Sequence, residues 1–127
     1  MILPILSYGF PLLRKECDEF EEGESLKELV SNMFETMYAA SGVGLAGPQI
    51  GISKRIFTVD ASPFAEPEEL QQLDKKLKEL KDFKKVFVNP IIENETGSPW
   101  PFSEGCLSIP GIREDVERKA VIKISYY

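Results

Sequence analysis

An α+β fold, with a mixed or antiparallel sheet packed on one core helix, is what this sequence predicts. Three observations carry it: a strongly helical stretch over residues 25–38, β-branched and aromatic runs at 55–59 and 86–88, and apolar alternation over the closing residues 120–127. At 127 residues the chain reads as one domain, 1–127, long enough to hold a single core without disulfide or metal staples.

The opening reads as an extended arm, with turn signals at Tyr8-Gly9-Phe10-Pro11 ahead of Leu12-Leu13-Arg14-Lys15. Ser25 followed three residues later by Glu28 is a capping-box pattern. Leu26, Leu29, Val30, Met33, Phe34, Met37 and Tyr38 then recur at helical spacing, a face wide enough for a core helix. Ser41-Gly42 should stop that helix by a conformation most side chains resist. After a glycine loop over 42–51, Arg55-Ile56-Phe57-Thr58-Val59 has strand composition. Leu70, Leu73, Leu77 and Leu80 form a narrow stripe that predicts a surface helix from about Pro67 to Lys81, with proline in its first turn. Val86-Phe87-Val88 is a strand ended by Asn89-Pro90, and Ile91-Ile92 begins another. Residues 96–101, Thr-Gly-Ser-Pro-Trp-Pro, read as a turn-rich connection, with Trp100 packed beneath the cysteine loop that follows. The end alternates as a half-buried strand, Ala120, Ile122, Ile124 and Tyr126 against Val121, Lys123, Ser125 and Tyr127.

Charge and composition narrow the function. A formal charge of −6 argues against nucleic acid as a partner, because phosphate affinity comes from clustered Lys and Arg. The basic run through Lys75, Lys76, Lys78, Lys81, Lys84 and Lys85 alternates with acids and reads as a solvated face. The apolar start has no basic flank and is broken by Pro4, so it predicts neither a signal peptide nor a membrane span. Two distant cysteines without a secretory signal fit a reducing, cytoplasmic setting, with Cys17 a small half-buried hydrophobe.

The chemistry concentrates at Glu104-Gly105-Cys106-Leu107-Ser108. A thiol framed by glycine and small residues suits a metal ligand or a nucleophile, and both uses ordinarily call on histidine, of which this chain has none. A second stretch, Gly42-Val43-Gly44-Leu45-Ala46-Gly47-Pro48-Gln49, lets backbone approach a ligand closely and ends in an amide able to donate to an oxyanion. Alone, that loop is accounted for equally well as a helix stop and turn. Its Gly-x-Gly precedes a strand, which speaks against a dinucleotide site.

Together and in this order, the two stretches resemble the first two signature motifs of the peptide deformylases, G-x-G-x-A-A-x-Q and E-G-C-L-S. Ile2 to Lys15 is similar to that family's N-terminal arm, and Ser108-Ile109-Pro110-Gly111 continues the second motif. The resemblance implies hydrolysis of the formyl group from N-formylmethionyl peptides, with the ribosome as a candidate partner. It implies that Cys106 ligates a divalent metal, natively iron with zinc or nickel as substitutes. It further implies that the Gln49 amide and the Leu107 N–H donate to the oxyanion, that Val43, Gly44 and Gly105 pair with an extended substrate, that Arg113 lies close to it, and that Glu104 and Arg118 form a structural ion pair.

Two departures from the family pattern stand out. Gly47 replaces the usual second alanine, which predicts a looser loop. The third motif, H-E-x-x-H, which carries two metal-ligating histidines and the catalytic glutamate, is missing. The chain is therefore expected to be C-terminally incomplete, to lack the metal-binding helix, to leave its metal unbound or partly ligated, and to be inactive alone. Self-association through the apolar face so exposed is expected. A catalytically dead peptide-binding module is the alternative, and a cysteine-nucleophile hydrolase ranks last for want of a base.

Overall fold

Apolar spacing of three and four residues winds Lys27–Ala39 into helix α1, which buries Met33, Thr36 and Met37 completely or nearly so. This computed structural model describes residues 1–21, 25–65 and 80–126. The surface helix expected over 67–81 lies outside them except for its last two positions, as does Tyr127. The helix begins one residue later than the capping-box pattern suggests. Leu26 is its N-cap with no side-chain cap bond, and Ser25 is exposed. At the other end Ser41, not Gly42, takes the left-handed conformation, φ 58°. Gly42 is small for a different reason: a Cβ there would stand 2.6 Å from Leu107 Cδ1.

The chain after α1 builds a three-stranded antiparallel sheet in the order β1 (Gly44–Ala46), β2 (Ile56–Asp60), β3 (Lys84–Val88). Leu45 pairs with Thr58, and Phe57 with Phe87. Alternation sends Ile56 and Thr58 inward onto α1, where Met33, Met37, Leu45, Ile50, Ile56 and Val88 make the core. Buried Thr58 keeps its hydroxyl satisfied on Leu45 O at 3.4 Å. The glycine loop thus contains an unpredicted strand, β1, and a 3₁₀ turn at Gly47–Ile50. Gly47 sits inside this turn without slack: a Cβ would lie 2.9 Å from Lys54 O and 3.0 Å from Ile52 O, so here the glycine permits close packing and does not loosen the loop.

Beyond β3 the chain forms one long hairpin, β4 (Ile91–Cys106) against β5 (Ile109–Ser125), turning through Leu107 and Ser108. The expected turn at residues 96–101 is instead an irregularity within β4, where the register shifts between Thr96 and Pro99. Gly97, at φ 86°, absorbs the extra residues as a bulge, and the prolines are tolerated because among the described residues β4 pairs with β5 on one edge only. Trp100 does not pack under the cysteine turn. It is 46% exposed and meets Phe102 edge-on at 5.2 Å between ring centroids. The hairpin touches the body through Leu107, which packs on the core, through Phe102 against Phe64 (5.6 Å), and through Tyr126 against Phe87 (4.6 Å). No helix among the described residues is long and apolar enough to cross a membrane.

Candidate functional site

The tip of the hairpin and the turn after β1 meet across an open cleft of about 860 Å³. One wall is Ser41, Gly42, Val43 and Gly44 with Gln49; the other is Ser103 to Leu107 with Ile112 and Arg113. Gln49 projects into it because the 3₁₀ turn reverses the chain and Ala46 N–H donates to Gln49 Oε1 at 2.9 Å. That bond fixes which face of the amide looks outward. Gln49 Nε2 donates to Ser108 Oγ at 3.2 Å and stands 3.6 Å from Cys106 Sγ.

Two main-chain bonds from the N-terminal arm align the halves. Leu6 N–H donates to Gln49 O and Tyr8 N–H to Ser108 O, each at 2.7 Å. A third, Leu3 N–H to Thr36 Oγ1 at 2.8 Å, ties the arm to α1. Leu107, packed over Gly42, seats the hairpin tip on the body from the other side.

The remaining residues singled out from the sequence fall around this centre. Gly105 lies under the Arg113 guanidinium, 3.1 Å from where a Cβ would be, and Arg113 donates from Nη2 to Ser103 O (2.8 Å) and from Nε to Ser103 Oγ (3.2 Å). Arg118 grips Glu104 with two bonds of 2.7 and 2.6 Å, the expected ion pair. Those bonds hold the Glu104 carboxyl below the ordinary glutamate range and raise Arg118.

Gly44 opens β1, with Val43 just before it, and among the described residues β1 has β2 on one side only, which leaves an open edge. Asp60 N–H donates to Val43 O at 2.9 Å, and the Asp60 carboxylate receives Tyr38 Oη at 2.5 Å and Ser62 N–H at 3.0 Å. The tyrosine bond is the main reason Asp60 is held low. Partial burial, then the Asp60 carboxylate, push Tyr38 up to about 12.

Ser108, the Leu6 and Tyr8 amides, and the rings of Phe64 and Phe102 were not anticipated as parts of the site. Ser108 stood within a quoted motif, and its 4% exposure marks a hydroxyl with a job. The arm amides leave no trace in residue type.

Metal binding needs three or four converging donors. Among the described residues no group of three or more His, Cys, Asp or Glu side chains could hold an ion, and the Glu104 carboxylate is engaged by Arg118. Cys106 offers one soft ligand, so the residues present do not by themselves fit a metal centre. What they can do is present a thiol, an oriented amide and a strand edge, unpaired among the described residues, to one extended ligand.

The family model described as polypeptide deformylase matches residues 2–127. Peptide deformylases of Christiangramia forsetii and Flavobacterium psychrophilum are 52% and 51% identical over the full chain, which covers 64% and 65% of them. The chain thus spans just under two thirds of the length of these curated relatives. Among solved structures, peptide deformylase from Thermotoga maritima superposes with a TM-score of 0.80 at 32% identity, covering 99% of this chain and 74% of that one. The Synechococcus elongatus peptide deformylase in complex with actinonin gives 0.77 at 33% identity, over 98% of this chain and 60% of that one.

Proposed function

The chain belongs to the polypeptide deformylase family, and from that premise we propose that its cleft receives an N-formylmethionyl peptide and supplies the oxyanion donors for hydrolysis of the formyl group. The observation that carries this is the approach of Gln49 Nε2 to 3.6 Å from Cys106 Sγ in one shared cleft.

On this reading each residue has a task. The formyl oxygen would receive the Gln49 amide and the Leu107 N–H, donors that hold it more strongly as a water oxygen bonds to the formyl carbon and the C=O π pair moves onto the oxygen. The amide is already oriented by Ala46, so little reorganisation accompanies the reaction. One such donor contributes on the order of 3 kcal/mol to the transition state. The open edge at Val43 and Gly44 pairs with the peptide backbone by strand addition, with Gly105 opposite. Arg113 flanks the substrate and keeps Gly105 covered. In the family's metal centre, iron or a substitute, Cys106 would be one ligand, and these 127 residues contain no histidine to complete the set. The polypeptide of these residues alone therefore binds formyl peptide without turning it over. The cytoplasm, where nascent peptides emerge, is the matching compartment.

Calorimetry with formyl-Met-Ala-Ser, paired with a formate-release assay, tests this directly. Binding that weakens at least tenfold in Gln49→Ala, with no formate above background, is the expected result. Formate release by the chain alone would overturn its inactivity, and absence of binding would overturn the groove. A binding-only module is the second reading, favoured by a cleft whose described residues include one metal donor. Failure of the whole-length protein to release formate under added iron, nickel or zinc would select it.

A further inference from the structure

We propose that Tyr38 and Asp60 are positioning residues for the peptide: their bond closes a ring of contacts around the turn from Ser41 to Val43 and so sets the strand edge at Gly44 on which the substrate backbone is laid. The proposal rests on the formyl-peptide reading of the cleft and gives a task to two residues that lie outside both signature stretches.

Tyr38 reaches the turn from two sides. Its main-chain oxygen, at the end of α1, accepts the Ser41 N–H at 3.0 Å where the chain turns at φ 58°, and its Oη donates to Asp60 Oδ2 at 2.5 Å. Asp60 ends β2, and its own N–H donates to Val43 O at 2.9 Å. The circuit through Tyr38, Ser41, Val43 and Asp60 is thereby closed, and Gly42 N–H is tied inside it to Met37 O at 2.9 Å. Ser41, Gly42, Val43 and Gly44 all belong to the cleft wall.

The bond from Asp60 decides which way the edge faces. Successive residues of an antiparallel strand direct their main-chain groups to opposite sides. With the Val43 carbonyl committed to β2, the N–H and C=O of Gly44 turn to the side that no strand covers among the described residues. Those are the groups an added peptide strand pairs with. The Asp60 side chain is braced in turn: Oδ1 accepts Ser62 N–H at 3.0 Å, and Lys84, opposite Asp60 across β2 and β3, lays Nζ over the rings of Phe34 (4.6 Å) and Tyr38 (5.6 Å). Tyr38 is 45% exposed, so its bond adds little to global stability and its loss should register at the edge it holds.

Tyr38→Phe removes the hydroxyl alone and keeps the ring beside Lys84. Calorimetry should show formyl-Met-Ala-Ser bound about fivefold more weakly, with the thermal melt unchanged. In the free chain the Asp60 amide should exchange into deuterated water about tenfold faster, while that of Met33 in α1 keeps its rate. Asp60→Ala should weaken binding to a similar extent, and adding Tyr38→Phe to it should change affinity by less than twofold, because both act through one contact. Should Asp60→Ala fold poorly, the two readouts on Tyr38→Phe decide. Unchanged affinity in Tyr38→Phe, weaker binding with Asp60 exchange unmoved, or exchange that rises equally at Met33 overturns the positioning role alone. Absence of peptide binding by the unaltered chain overturns the groove, and the positioning role with it.

Discussion

In the body, Met33 and Met37 are wholly buried between α1 and the three-stranded sheet, whereas along the hairpin Ile92, Val121 and Ile122 each keep more than half of their surface in water. The hairpin strands are the less apolar of the two, and they also lack a layer: the sheet of β1 to β3 has a helix to close its face, while among the described residues the two strands of β4 and β5 have only each other. A sheet without a second layer cannot form a core however apolar its residues are. The site sits where the two regimes touch. Its Gln49 side is held by packing, and its Cys106 side by Leu107 and a few main-chain bonds.

The contrast can be broken first where it is strongest. Met37→Ala should cost about 3 kcal/mol in a urea unfolding titration, because a fully buried thioether leaves a cavity in a close-packed core. A loss under 1 kcal/mol would mean that the body is not the stable half. At the junction, Gly42→Ala forces Leu107 off its seat and should cost about 2 kcal/mol, with formyl-peptide affinity falling alongside stability.

Next comes the clasp on the hairpin. Glu104 has a folded pKa below its unfolded one, so its contribution is complete above the ordinary value near 4.3 and fades as pH falls through the lower folded value. The pair is partly exposed, so Glu104→Gln should cost only about 0.5–1 kcal/mol. Acid should release the Arg118 side-chain NMR signals before α1 melts; simultaneous loss would show that hairpin and body unfold as one.

The smallest stability effect is expected at Ile122→Lys, within about 0.5 kcal/mol. Its readout lies elsewhere. The hairpin's outer strand edges, open among the described residues, and its exposed isoleucines favour pairing between copies, so light scattering should show concentration-dependent association that this lysine reduces. A monomer at all concentrations before the substitution would remove the expectation.

The same layering explains how much was legible beforehand. Helix α1 and strands β2 and β3 declared themselves because each has one face against a core, which imposes a period on the residues. β4 did not, since neither face is packed along most of its length and Thr96-Gly97-Ser98-Pro99 carries the residue types of a turn while serving as a bulge. Ser25 and Glu28 had the right spacing for a cap that the chain does not use. At the site, Gln49 and Cys106 were readable as chemically distinctive side chains. Ser108 was readable only as part of a motif, and the arm's contribution not at all, because backbone amides at Leu6 and Tyr8 are donors whatever side chain they carry.

The arm's two bonds have a kinetic consequence. Tyr8 and Ser108 stand a hundred positions apart, and Gln49 reaches Cys106 across fifty-seven. Closing loops of that length is slow compared with winding α1 or pairing β1 with β2, whose partners are near neighbours. During synthesis the body can therefore consolidate around its methionines while Tyr8 still lacks its partner at Ser108. The cleft is assembled only when the hairpin tip arrives and Tyr8 is stitched to Ser108, a bond between two stretches synthesised well apart in time.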